Sequence, residues 1–285
     1  MRHILQPGPV HPERIQWVEA RGRRLGFELA AGKRLLEGVQ EGFAAGGFSS
    51  GVVNFTGGAL GPLAYVMPAL STNPEHAAFY SDIFRPAGTS RLQTGAMTFG
   101  MRDGEPFFHC HALWTGADGK FTGGHILPEE SFVAETFRVE AMGIDGAAFE
   151  ARLDPETGFK LFAPVPRPAS AIAASQRIFA LRLRPNQDFA GALEGFCATH
   201  NIRSAVLHGG VGSTIAARFA DGRLVEPFAT EIALRAGRIA PDRHGQPAAS
   251  LDIALVNCQG ETAQGLLARG HNPVLMTVEL VLEAE

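Results

Sequence analysis

Cysteine is scarce. Three in 285 residues, Cys110, Cys197 and Cys258, cannot build a disulfide framework, and none shows the CxxC spacing of a zinc ribbon or redox site. Each sits in an apolar stretch, where cysteine acts as a small buried hydrophobe. Positive charge is also in short supply: 25 Lys and Arg face 29 Asp and Glu, a net charge of −4. That balance removes the sequence-independent pull on phosphates that most nucleic-acid binders carry. No apolar run approaches about 18 residues, so no membrane-spanning helix is expected. The opening Met1-Arg2-His3-Ile4-Leu5-Gln6-Pro7 has no apolar core and no signal-peptide form. A cytoplasmic protein without membrane contact is the expectation.

What is plentiful is glycine (34) and proline (18), which predict tight turns and sheet. With 45% hydrophobic and 19% charged residues, the chain can bury an ordinary globular core.

The two halves read as copies. Leu35-Leu36 to Phe43 is an amphipathic helix, followed by Gly46-Gly47 and the apolar strand Gly51-Val52-Val53. Phe189 to Phe196, His200-Asn201 and Ala205-Val206-Leu207 repeat that plan. Further on, Gly104, Gly119 and Gly124 each recur 141 positions later, at Gly245, Gly260 and Gly265, and Pro106 recurs at Pro247. One strong helix stands against many strands in each copy. The fold class predicted is therefore α+β: two tandem copies of a mostly antiparallel sheet with a covering helix. The copies are placed at residues 14–160 and 177–285, with a proline-rich linker at 161–176 (Pro164, Pro166, Pro168). Copy 1 alone carries an insertion at 67–92, the kind of segment that forms a lid or binding loop.

Two shorter signals read as turns. His208-Gly209-Gly210-Val211-Gly212-Ser213 follows a strand but lacks the GxxxxGK[ST] of a phosphate loop. Arg21-Gly22-Arg23-Arg24 has the Arg-Gly-Arg core of an AT-hook, a minor-groove element, but Arg24 stands where proline belongs and acids flank it.

Chemistry concentrates in Phe107-Phe108-His109-Cys110-His111-Ala112, followed by Gly123-Gly124-His125. On a strand, residues two apart share a face, so His109 and His111 point one way and Cys110 the other. An odd-numbered turn over residues 116–120 places His125 across from His111 on that face. Gly123 and Gly124 leave room for a metal or a neighbouring backbone. Three imidazoles with an open fourth position form a catalytic zinc pattern, though other divalent transition metals accept the same ligands. The alternative is three half-buried histidines satisfied by backbone carbonyls. At the matching positions copy 2 carries Ser250, Asp252 and Leu266, so its site is lost and its role is packing, oligomerisation or a wall of the first pocket. Glu129, Glu130, Glu135 and Glu140 are candidates for proton transfer or ligand support. Glu140 corresponds to Glu279, and both read as structural ion pairs. Glu75 and His76 of the insertion stand where they could close over the site.

With these pieces together, the sequence resembles the plants-and-prokaryotes-conserved (PPC) domain family. Copy 2 carries Leu181-Arg182-Leu183-Arg184-Pro185, the helix to Phe196, His200-Asn201-Ile202 and Gly210-Val211-Gly212-Ser213; copy 1 carries His109-Cys110-His111, Asp118-Gly119 and Gly123-Gly124-His125. The resemblance implies an α+β domain, commonly self-associating as a trimer. In many prokaryotic members it implies a metal held by the HxH and GGH histidines, and its members are commonly labelled DNA-binding. This chain departs by its doubling, the lost second histidine set, the insertion and the missing AT-hook, which weigh against DNA. Its doubled architecture with one three-histidine site also resembles acetolactate decarboxylase. The functional expectation is a small-molecule, metal-dependent role at His109, His111 and His125. The alternatives are sequence-nonspecific DNA binding or a metal-dependent lyase or hydrolase, with self-association as dimer or trimer.

Overall fold

These patterns resolve, in a computed structural model that describes residues 2–170 and 174–285, into strands and two helices. The first half contains β1 (Ile15–Leu29), α1 (Leu35–Ala45), β2 (Gly51–Thr56), β3 (Ala59–Leu60), β4 (Tyr65–Val66), β5 (Pro68–Leu70) and β6 (Ala78–Tyr80). It continues through β7 (Ser90–Arg102), β8 (Glu105–Thr115), β9 (Phe121–Ile126), β10 (Val133–Glu135), β11 (Phe137–Asp145), β12 (Ala147–Leu153) and β13 (Lys160–Pro166). The second half contains β14 (Gln176–Leu183), α2 (Phe189–Thr199), β15 (Ala205–Arg218), β16 (Leu224–Pro241), β17 (Pro247–Asn257), β18 (Thr262–Leu266) and β19 (Val274–Ala284). No helix among the described residues is long and apolar enough to cross a membrane.

Both halves use one pairing order. In the first, β1 pairs with β11, β11 with β2, β2 with β7, β7 with β8 and β8 with β9, all antiparallel. In the second, β14 pairs with β19, β19 with β15, β15 with β16, β16 with β17 and β17 with β18, again antiparallel. Register follows: His111 stands opposite His125, and 141 positions on, Asp252 stands opposite Leu266. The α+β class and its doubling hold. Each helix buries an apolar stripe over its own sheet. Leu35, Val39 and Phe43 of α1 recur every four residues, and Phe189, Leu193, Phe196 and Cys197 of α2 do the same work on the other half. Asp188 caps α2, its carboxylate accepting from the Gly191 amide at 2.8 Å. A third core cluster draws Ala20, Val52, Met142, Phe149, Ile178 and Val281 from both halves.

Three sequence readings need correction. Arg21 to Arg24 is no turn but the middle of β1, which runs unbroken for 15 residues. Its first part pairs with β14 of the second half, its last part with β11 of the first, so one strand staples the two copies together. Gly22 is required by crowding: a Cβ there would stand 2.7 Å from Met142 Sδ and 2.8 Å from Ile178 Cγ2. Likewise His208 to Ser213 lies inside β15, as a bulge with Gly209 and Gly210 at φ +70° and +89°. The bulge receives Asn54 from the first half, whose Nδ2 donates to the carbonyls of Gly209 (3.1 Å) and Leu234 (2.9 Å). Third, the linker placed at 161–176 begins later, because Lys160–Pro166 is strand β13, laddered to β12. Proline is tolerated there because the pairing is one-sided at the prolines' own nitrogens. Of the remaining stretch, residues 171–173 lie outside the described residues.

The expected turn at Asp154 to Gly158 anchors this junction. Asp154 is buried, and its Oδ2 accepts from Arg182 Nη2 and Arg184 Nη1, each at 2.5 Å. Neighbouring Glu156 takes a two-pronged bond from Arg14 at 2.8 and 3.0 Å. Burial alone raises the Asp154 carboxyl, but the charges of Arg182 and Arg184 outweigh it and hold it below the usual carboxylate range. Removing this charge takes from buried Arg182 its carboxylate partner and leaves buried Arg184 only Glu156 at 3.8 Å. Asp154→Asn is expected to destabilise the protein by about 3–5 kcal/mol at pH 7, measured by denaturant unfolding. A depressed carboxyl stabilises above its unfolded value of about 3.9 and ceases to as pH falls through the folded value. The gap between wild type and variant should therefore narrow as pH falls below about 4.

Candidate metal centre

Strand alternation fixes where β8 sends its side chains. Cys110 points into the first-half core, and burial pushes its thiol well up, so it serves as packing. His109 and His111 point the other way, towards the second half, and His125 of β9 joins them from the position directly across from His111. All three are buried, with one ring nitrogen from each within 4.8 Å of the others. His109 Nε2 lies 3.1 Å from His111 Nε2, which in turn lies 3.3 Å from His125 Nδ1.

The glycines before His125 serve backbone approach. A Cβ on Gly124 would stand 2.5 Å from the Val66 carbonyl oxygen of β4, and one on Gly123 2.7 Å from that of Ala112. This lets β4 pair with β9 beside His125 and carry the insertion over the site. There β5 and β6 form a separate two-stranded sheet. Its Tyr80 ring stands 5.3 Å from that of His125, while His76 and Phe79 pack on Phe159 of the β12–β13 turn. Of the two insertion residues singled out, His76 lines the cavity beside the site, while Glu75 is exposed.

The second half supplies what the sequence reading did not foresee. Glu279 of β19 takes His109 Nδ1 at 2.6 Å, and its other oxygen accepts from the Thr277 hydroxyl at 3.1 Å. His111 Nδ1 faces the Ile232 carbonyl at 3.0 Å, and Glu231 Oε1 lies 3.7 Å from His111 Nε2. Glu279 is therefore no remote ion pair; it is fully buried against the site. Its counterpart Glu140 is exposed beside Arg138, and Glu130 and Glu135 pair on the surface with Arg85 and Arg91. Glu129 lines the cavity next to the histidines but is itself exposed. The signal for Glu231 and Glu279 was present in the sequence, as a lone acid in each of Ala229-Thr230-Glu231-Ile232-Ala233 and Val278-Glu279-Leu280. An acid amid strand-forming apolar residues is costly unless partnered.

Protonation follows from the partners. A carbonyl only accepts, so His111 carries its proton on Nδ1; Glu279 likewise draws the His109 proton to Nδ1. Both Nε2 atoms then present lone pairs to each other at 3.1 Å. Adding a proton is unfavourable: desolvation first, then the neighbouring imidazoles, hold His111 and His125 well below the usual histidine value. Burial pushes Glu231 well above the usual carboxylate value, and its Oε2 has no hydrogen-bond partner among the described residues. The donor set fits a divalent metal ion. Tetrahedral ligands about 2.05 Å from zinc stand about 3.3 Å apart, close to the two distances here.

Among solved structures, the chain is similar to a plant- and prokaryote-conserved (PPC) protein from Pyrococcus horikoshii at 20% identity, covering 53% of this chain and 97% of that one, with a TM-score of 0.40. A metal-containing protein from Archaeoglobus fulgidus matches at 22% identity over 51% of this chain and 96% of that one, TM-score 0.40. A protein from Ralstonia eutropha, provisionally described as DNA-binding, matches at 12% identity over 50% and 90%, TM-score 0.36. A comparison with curated proteins finds no match. The family model of the Plants and Prokaryotes Conserved (PCC) domain matches residues 171–284. The part of the chain that the family model matches is the half that supplies Glu231 and Glu279 to the site.

Proposed function

We propose that the chain binds one divalent transition-metal ion, zinc foremost, through His109, His111 and His125, and acts with it on a small molecule. The observation that carries this reading is the pair of facing Nε2 lone pairs, 3.1 Å apart, whose imidazoles have given their protons to Glu279 and Ile232. Without a cation between them, that arrangement is repulsive and buried. A carboxylate behind one ligating histidine and a carbonyl behind another is how proteins orient imidazoles on a metal.

Bound there, the ion supplies Lewis acidity towards a carbonyl or phosphoryl oxygen. The protein's own residues supply the rest. Glu279 keeps the His109 ring turned and electron-rich. Glu231 stands beside the ligands, its Oε1 3.7 Å from His111 Nε2 and its Oε2 without a hydrogen-bond partner among the described residues, where a carboxyl could hold or move a proton. Tyr80, Phe79 and Phe159 limit water. This is the constellation of a metal-dependent lyase or hydrolase.

Metal analysis of the purified protein tests the reading. Wild type is expected to hold a stoichiometric transition metal and His109→Ala to lose it, whereas wild type without metal after reconstitution sinks the proposal. Glu279→Gln should fold normally and weaken metal affinity about 10–100-fold in a competition titration with a chromogenic chelator. For the metal-free protein the sign of the pH effect follows from His111 and His125. Their folded values are depressed, so they bind protons better unfolded. Their stabilising contribution is complete above about pH 6.5 and is lost as pH falls below it. Thermal melts should show the metal-free Tm dropping between pH 7.5 and 5.5, and dropping less in His125→Leu, which installs the residue copy 2 carries at the matching position, Leu266.

A further inference from the structure

A cavity of about 530 Å³ opens on the outer side of the histidine cluster, with His109 and His125 in its wall. That volume lies within the range of small-molecule sites, roughly 300–1,000 Å³. Its lining is predominantly apolar and aromatic: Phe79, Phe107, Phe159 and Phe162 with Ile83 and Leu127. Two cations also line it, Arg102 and Lys160. Lys160 is already committed, its Nζ 2.7 Å from both oxygens of Asp103. Arg102 differs. Its guanidinium lies over the Phe107 ring at 5.0 Å, makes no hydrogen bond among the described residues, and has Asp103 no nearer than 3.9 Å. Its charge reaches the site, acting on both His125 and Tyr80. The remaining acid in the wall, Glu129, is exposed to solvent.

A guanidinium with no hydrogen bond among the described residues and only a long ion pair to Asp103, above aromatic walls, favours a negative charge on an apolar body. The planar fork of arginine matches a carboxylate with two parallel bonds. We infer that the cavity takes a monoanionic organic acid with an apolar or aromatic body, its carboxylate held by Arg102 and its far end directed to the three-histidine centre. The inference deepens the metal-centre reading and rests on it for the reacting end of the molecule, while the Arg102 anchor is a property of the cavity itself. Arg102 is thereby a binding and specificity residue.

Isothermal titration with 3-phenylpropionate, on metal-loaded and metal-free protein, tests the inference. Its neutral amide, 3-phenylpropanamide, is the control. Losing a hydrogen-bonded charge partner should raise the Kd of the acid about tenfold in Arg102→Gln, with Arg102→Lys intermediate. The amide should bind weakly and equally to wild type and variant. Arg102 is largely exposed, so the variant should melt like wild type, and a melt confirms that it is folded. Arg102-dependent binding to metal-free protein upholds the anchor even if metal analysis defeats the metal reading. Equal acid affinity in wild type and Arg102→Gln, as when the metal alone holds the carboxylate, overturns the inference. So does failure of the acid to bind either form.

Discussion

Among the hydrogen bonds that cross from the second half of the chain to the first, one organises the site: His109 to Glu279, 2.6 Å, between residues 170 positions apart. A buried carboxylate this close to an imidazole fixes the ring, its tautomer and the direction of its free lone pair. Everything else in the centre is arranged around that constraint. His111 is fixed by the Ile232 carbonyl on the same side, His125 by strand register, and Glu231 stands beside them with one oxygen unpaired. Burial makes every one of these contacts matter more, because a buried polar group left without its partner is costly.

The site needs both copies. The first provides the imidazoles and the second provides the acids, and the two faces meet because β1 pairs with both sheets and Asn54 plugs the β15 bulge. The two halves, alike in strand order, contribute different residues. Where copy 1 has His111 and His125, copy 2 has Asp252 and Leu266, and Leu266 is exposed. Where copy 2 has the buried Glu279, copy 1 has Glu140 at the surface. Each copy holds residues of the centre that the other lacks. Mechanical unity comes from the strand ladder and from the Asp154–Arg182–Arg184 cluster at the junction.

Local periodicity made part of this legible in advance. A period of two on β8, with a five-residue turn after it, was enough to place three histidines on one face, because strand register is a short-range property. Repeat spacing revealed the doubling. What local pattern could not reveal was face-to-face packing of sheets far apart in sequence, so Glu231 and Glu279 stood out as acids in need of partners but not as partners of these histidines. The same limit misled the readings of Arg21 to Arg24 and of His208 to Ser213. Glycine flanked by charge or by more glycine signals a turn locally, yet at Gly22 and Gly209 the glycine answers to crowding or a bulge contributed by the other half.

The central claim is that second-half acids hold first-half imidazoles around a metal ion. X-ray absorption at the zinc edge on reconstituted protein tests it most directly. The account predicts a four-coordinate ion with three imidazole nitrogens at about 2.0–2.1 Å and one further oxygen or nitrogen donor. A six-coordinate shell of oxygens, or a sulfur ligand from any of the three cysteines, would contradict it.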